Sequence, residues 1–246
     1  DQYAELVDGN AALIDLLLQS GAYTNAAAHD RSTALMLASV AGHEEATRRL
    51  FDAGAEVNAV NAYGETALML AAEAGQAKVV EVLLGHSLTT PADPDVANTD
   101  GETALSLATQ AGNLEIVRAL LQKGASADSR NRHGNTPLIL STRKRRYGVA
   151  RELVKHGVGL DAQDELGRTA LMWSARRNAP EVARLLVEAG ASLQIEDLGR
   201  LTALGTAIRY GSTSIVKMLL EAGSDISEAK RFHGGRPLLV WAGNRQ

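Results

Sequence analysis

Apolar residues recur along this chain in a fixed phase. Thr-Ala-Leu, or a close variant, begins at Thr33, Thr66, Thr103, Thr136, Thr169 and Thr202, at intervals of 33, 37, 33, 33 and 33 residues. Thirteen and fourteen residues after each Thr stands an apolar or small pair: Ala46-Thr47, Val79-Val80, Ile116-Val117, Val149-Ala150, Val182-Ala183 and Ile215-Val216. Four residues further on comes a second pair: Leu50-Phe51, Leu83-Leu84, Leu120-Leu121, Leu153-Val154, Leu186-Val187 and Leu219-Leu220. Pairs at i, i+1, i+4 and i+5 form one stripe of a helix, which predicts a second helix in each repeat. Before it, stretches such as "TALMLAAEAG" (66–75) predict a short, Ala-rich first helix whose small side chains let neighbouring helices approach closely. Gly21, Gly54, Gly124, Gly157, Gly190 and Gly223 follow second helices, where a left-handed residue stops a helix without Cβ strain. A polar, turn-rich stretch such as "NAVNAYGE" (58–65) then leads to the next Thr.

A period of 33 built from helix, turn, helix and extended turn resembles the ankyrin repeat. The segments "TALMLAAEAG", "VVEVLL" and "AGAEVNAVNAYGET" carry the likeness, which runs through essentially the whole chain. It implies an all-α solenoid of helix-turn-helix units with extended β-turn fingers. The "TALM"-type repeats look like bacterial ankyrin proteins more than animal ones. Two features depart from the family pattern. Only Thr136-Pro137-Leu138 has its proline, and its histidine is replaced by Met36, Met69, Ser106, Ile139, Met172 and Gly205, so the hydrogen bonds that histidine makes are not carried over.

Phase also sets the expected boundaries. Gly9 lies 33 residues before Gly42, so residues 1–32 read as a first repeat without its opening Thr, turning at Gly9. The following repeats are 33–65, 66–102, 103–135, 136–168, 169–201 and 202–235, and "RPLLVWAGNRQ" (236–246) reads as a first helix lacking its second. A single repeat cannot bury its own apolar stripe, so residues 1–246 are expected to form one continuous domain. Repeat 66–102 holds four extra residues in "HSLTTPADPDVANTDG", where Pro91 and Pro94 forbid helix. Its Asp93, Asp95 and Asp100 do not match the spacing of a twelve-residue calcium loop, which also ends in Glu, and a longer polar loop accounts for them. Nine residues after the Thr, the turn takes Gly42, Gly75, Gly112 and Gly211 but Arg145 and Asn178 in the other two repeats. A left-handed Arg costs roughly 1–2 kcal/mol unless the turn rearranges.

Charge changes the picture most. The formal charge is −4, yet residues 1–129 hold six basic against eighteen acidic residues, a net of −12, while residues 130–246 hold nineteen against eleven, a net of +8. The ankyrin resemblance implies a concave groove lined by the finger tips and the C-terminal end of each first helix. Its helix positions, seven and eight after each Thr, are Val40-Ala41, Glu73-Ala74, Gln110-Ala111, Arg143-Lys144, Arg176-Arg177 and Arg209-Tyr210. The tips add Tyr63, Glu65, Asp100 and Glu102 early, Arg130, Arg132, His133 and Arg168 later, and Lys230 and Arg231 before the last half-repeat. These residues are the candidate contact surface: Arg130, Arg132, Arg143, Lys144, Arg168, Arg176, Arg177, Arg209 and Tyr210 for an acidic patch, with Tyr63, Glu65, Glu73, Asp100 and Glu102 for a neutral or basic one. A second reading is open, because cations ~8–10 Å apart repel by only about 0.4–0.5 kcal/mol in water and are tolerable as solvated side chains. Arg145 and Arg146 are expected in solvent.

Catalysis finds no foothold. The six histidines have no metal-ligand spacing, and HExxH and phosphate-binding glycine loops are absent. Trp173 and Trp241 are expected in the core. With no cysteine, thiolate sites and disulfides are excluded and neither cytoplasm nor periplasm is selected; no apolar run approaches the ~18 residues of a membrane helix. The expected function is that of a soluble, monomeric, cofactor-free and metal-free scaffold for a protein partner, of the inhibitor or immunity type among others. The alternative is an anionic ligand, nucleic acid or a phosphorylated headgroup, on the basic half. Against it stand the acidic first half and the scarcity of groove aromatics for base stacking.

Overall fold

A computed structural model describes residues 2–85, 91–225, 232–233 and 236–237. The chain divides into two compact units, Asp1–Ser129 and Arg130–Gln246. The division falls where the charge changes sign.

The N-terminal unit contains α1 (Gln2–Gln19), α2 (Ala34–Ala41), α3 (Glu44–Asp52), α4 (Ala67–Ala74), α5 (Ala77–Gly85), α6 (Ala104–Ala111) and α7 (Leu114–Gln122). The first helices α2, α4 and α6 pack in succession, the second helices α1, α3, α5 and α7 form a parallel row, and each first helix lies against its own second helix from α2·α3 onward. The C-terminal unit repeats the plan with α8 (Pro137–Arg143), α9 (Tyr147–His156), α10 (Ala170–Arg176), α11 (Pro180–Glu188), α12 (Ala203–Tyr210) and α13 (Thr213–Glu221). There α8, α10 and α12 form one row and α9, α11 and α13 the other.

The periodic Thr starts every first helix. Its hydroxyl accepts a hydrogen bond from the backbone N–H three residues on, at 3.2–3.4 Å from Thr66 to Met69 and from Thr136 to Ile139. Such a cap contributes about 1 kcal/mol. Ser106, at the family's histidine position, adds a reciprocal cap: its hydroxyl accepts from the Thr103 N–H at 2.9 Å and donates to the Thr103 carbonyl at 2.9 Å. The expected stripe is the core. Leu83, Leu120, Leu153, Leu186 and Leu219 are fully buried, each worth about 1.5–3 kcal/mol of transfer free energy.

The fingers are held by carboxamides and carboxylates. Five residues before Thr66, Thr103, Thr136 and Thr169, the Oδ1 atoms of Asn61, Asn98, Asn131 and Asp164 each accept two backbone N–H bonds within the finger. Each finger also joins its neighbour within a unit by a backbone bond, as from Thr99 N to Tyr63 O (3.0 Å) and from Leu198 N to Leu166 O (3.0 Å). That approach crowds Gly167 (φ 74°), where a Cβ would lie 3.0 Å from Leu198 N and the next finger would have to give by a few tenths of an ångström.

Several expectations meet the structure differently. The turn at Gly9 is not formed, and α1 runs unbroken through it. An interior Gly costs a helix only about 1 kcal/mol against Ala, so an 18-residue helix runs through it. Arg145 and Asn178 do adopt the left-handed conformation (φ 60° and 51°), and their first helices end one residue early, leaving Lys144 and Arg177 as C-caps. Arg31 and Arg200, two residues before Thr33 and Thr202, are left-handed too (φ 64° and 59°), at the finger position that Gly64, Gly101, Gly134 and Gly167 fill elsewhere. In repeat 66–102 register is restored at Ala92, whose N–H reaches Leu83 O as Ala125 reaches Leu120 O. Asp95 there accepts the Ser126 N–H at 2.7 Å, and Asp93 accepts that of Asp95. Near the C-terminus, Phe232–His233 pairs antiparallel with Arg236–Pro237, so the residues expected to open the last first helix are extended. Lys230, Arg231, Trp241 and His86 lie outside the described residues.

Candidate functional site

The basic residues of the C-terminal unit converge on one side chain, Trp173. It sits in the middle of α10, only 6% exposed, with its indole N–H donating to Asp164 Oδ2 at 2.9 Å. Asp164 is itself buried and spends its other oxygen on the Leu166 and Arg168 N–H groups, so one carboxylate ties the finger to the ring. Arg176 and Arg177 follow Trp173 by three and four residues, the spacing that places helical neighbours side by side. Arg143 arrives from the end of α8 and Arg168 from the finger.

Their guanidinium carbons lie 4.8 Å (Arg143), 5.4 Å (Arg168), 5.3 Å (Arg176) and 5.8 Å (Arg177) from the Trp173 ring centroid. Arg176 also lies 4.8 Å from the ring centroid of Tyr210, so it bridges two aromatics. Each such contact is worth ~0.5–1 kcal/mol at an exposed site and more when dry. Arg143 Nη1 donates to the neutral Asn135 Oδ1 at 2.7 Å, and Arg168 Nε lies 3.8 Å from Asp197 Oδ2. Arg143, Arg176 and Arg177 have no carboxylate within ion-pair distance among the described residues.

The remaining expected residues surround this centre less tightly. Lys144 is exposed directly after Arg143, and Arg209 and Tyr210 are half-buried at the end of α12. Arg130 is exposed, with Nη1 donating to Gln163 O at 3.0 Å, and Arg132 is exposed on its finger. His133 pairs with Glu165 at 2.9 Å. Arg145 and Arg146 are exposed, as expected.

In the N-terminal unit, Tyr63 is 63% exposed at a finger tip, and Glu65 is half-buried with Oε2 accepting from Asn61 Nδ2 at 2.9 Å. Glu73 is exposed on α4, and Asp100 and Glu102 are half-buried on the next finger, their N–H groups bound to Asn98 Oδ1. Two clefts, of about 270 and 450 Å³, lie between successive second helices, and none of the expected contact residues lines either.

Sequence reasoning placed Trp173 in the core and the arginines on a ladder; it did not join them. The available signal was local: Arg168, Trp173 and Arg176 lie within a span of one finger and one helix. Asn135, Asp164 and Asp197, which orient the cluster, went unnoticed.

The ankyrin repeat family, as three copies of a multi-repeat pattern, matches residues 2–91, 86–164 and 156–230. Among solved structures, the ankyrin repeat domain of Bcl-3, described as a unique member of the IkappaB protein family, is similar at 28% identity and a TM-score of 0.71, over 81% of this chain and 90% of that one. No sequence of a curated protein matches. With 576 solved chains matching, the likeness identifies a fold shared by many proteins and no particular partner. Among the described residues no helix is long and apolar enough to cross a membrane.

Proposed function

Since the chain belongs to the ankyrin repeat family, whose repeats generally mediate protein–protein interaction without catalysis, we propose that it is a binding scaffold whose C-terminal unit captures an acidic patch of a protein partner. The observation that carries this reading is that Arg143, Arg176 and Arg177, gathered around Trp173, have no carboxylate partner among the described residues. Stacking and the Asn135 bond fix these long side chains before any partner arrives, so less rotamer entropy is lost on docking. The contact set is Arg130, Arg132, Arg143, Lys144, Arg168, Arg176, Arg177, Arg209 and Tyr210, lining the concave groove that the family uses. Tyr63, Glu65, Glu73, Asp100 and Glu102 meet a neutral or basic part of the same partner. Complementary charge acts chiefly on association rate and orientation. An inhibitor or immunity role fits such a surface. Nucleic acid is disfavoured, because the Trp173 and Tyr210 rings are already covered by arginine and offer bases no free platform.

Affinity capture from the native organism, followed by mass spectrometry, identifies the partner. Titration of that partner then compares the parent protein with Lys144→Glu/Arg177→Glu. These two positions are exposed, whereas Arg176 also packs between two rings and its reversal would cost stability. The expected result is a loss of roughly tenfold or more in association rate with an unchanged melting temperature. Unchanged binding would move the site elsewhere.

A further inference from the structure

Resting on the reading of the C-terminal unit as an acidic-partner surface, we infer that the Trp173 cluster recognises a single phosphoryl group on a peptide segment of the partner, in preference to a run of carboxylates. The argument begins with compactness. Four guanidinium carbons lie within 5.8 Å of one ring centroid. Any two of them are therefore within about 12 Å of each other, and a ligand that engages several must concentrate its charge in one place.

The charge count points the same way. Arg143, Arg168, Arg176 and Arg177 face two carboxylates within the cluster, Asp164 and Asp197. Two positive charges are left over, and a phosphate monoester carries about −1.5 to −2 at neutral pH. One Glu or Asp side chain would neutralise half of that excess.

The donors suit the group as well. All four cations are arginines, whose planar forks bind phosphate oxygens two at a time. A guanidinium held over a ring at these distances gives up no N–H to an oxygen acceptor by that contact. Among the described residues Arg176 and Arg177 commit no side-chain hydrogen bond, and Arg143 commits only the one to Asn135. Asp164 cannot swing in to quench them, because its two oxygens are held by two backbone N–H groups and the indole. The cluster is thus a fixed, undercompensated set of forks. Exposed Lys144, one residue beyond Arg143, supplies a further cation at the margin.

The test uses the full chain carrying Trp241→Phe, so that the fluorescence reports Trp173 alone, and calorimetry alongside. The probes are three peptide pools of equal length with degenerate flanks and a fixed centre of phosphoserine, Glu-Glu or Ser. The expected result is that the phosphoserine pool perturbs Trp173 and binds roughly tenfold or more tightly than the Glu-Glu pool. Arg143→Gln/Arg176→Gln should abolish that preference, while Arg151→Gln/Arg184→Gln, exposed on α9 and α11, should leave it intact. Melting curves of each variant separate lost binding from lost folding. Equal affinity for the phosphoserine and Glu-Glu pools would overturn phosphoryl recognition and leave the acidic-partner reading standing. Indifference to all three pools, with the captured partner also insensitive to Lys144→Glu/Arg177→Glu, would remove both. Tighter, strongly salt-dependent binding of an arbitrary DNA oligonucleotide would overturn the peptide assignment in favour of nucleic acid.

Discussion

In the N-terminal unit Arg48 lies 2.9 Å from Glu44, and Arg49 is paired with both Glu45 and Asp15. In the C-terminal unit Arg143, Arg176 and Arg177 lie against an indole instead. The same residue type on the same scaffold therefore reaches two end states. A guanidinium beside carboxylates on an exposed helix face has its field cancelled and contributes at most about 1 kcal/mol. A guanidinium stacked on a ring is held as firmly, but its charge remains available to a partner. Buried hydroxyls also reach two end states, in both units: Ser39, Thr47, Thr109 and Ser224 have no hydrogen-bond partner among the described residues, whereas Ser106, Ser141, Thr142, Ser174 and Ser212 donate to backbone carbonyls at 2.6–3.0 Å.

The sharpest challenge to the idea of one packing plan under two surfaces is to cut the core in each unit. Leu83→Ala and Leu186→Ala remove equivalent, fully buried side chains, and each should lower unfolding free energy by about 2–5 kcal/mol in denaturant titrations. A far smaller loss in one unit would show that the two cores are not equivalent. Next in size are the left-handed arginines, which occur in both. Arg31→Gly, Arg145→Gly and Arg200→Gly should each raise stability by up to about 1 kcal/mol, once glycine's greater freedom in the unfolded chain is set against the relieved Cβ strain. A loss at any of them would mean that the arginine side chain contributes more than its backbone costs. The hydroxyl contrast predicts opposite signs: Thr47→Val should gain about 1 kcal/mol, and Ser212→Ala, which surrenders its bond to Ala175 O, should lose about as much.

The smallest effect concerns Asp30 in the first finger. Hydrogen bonds from the Ser32 N–H and hydroxyl hold its carboxyl below the usual aspartate range. A depressed folded-state pKa stabilises the fold above the unfolded-state value, and that contribution disappears as pH falls through the folded value. Ser32→Ala removes the hydroxyl bond and should shift the Asp30 titration upward by NMR; the small stability it takes away should be missing at neutral pH, and the difference should vanish at acid pH.

What the sequence discloses depends on how locally each feature is determined. Thr66, Gly75 and the Val79-Val80/Leu83-Leu84 stripe announce cap, turn and buried face, because each acts over a few residues at a fixed offset. Arg145 and Asn178 were legible as left-handed for the same reason. Gly9 is the exception: phase marks it as a turn, but an interior Gly costs a helix only about 1 kcal/mol and α1 continues through it. The Trp173 cluster was half legible. Periodicity placed the arginines on one side, yet stacking depends on where a finger carboxylate anchors an indole, and no repeat other than 169–201 has a Trp at that offset to reveal a pattern. Arg31 and Arg200 are legible only by alignment with Gly64, Gly101, Gly134 and Gly167, which hold the same left-handed finger position in the other repeats.

The return of register at Ala92 has a practical consequence. Because the bond from Ala92 to Leu83 O closes the repeat despite four additional residues, the added length is absorbed before repeat 103–135 begins. A fluorophore attachment site or affinity tag spliced between Gly85 and Pro91 should leave both neighbouring repeats intact. That gives the N-terminal unit a labelling port remote in sequence from the arginines whose partner is being sought.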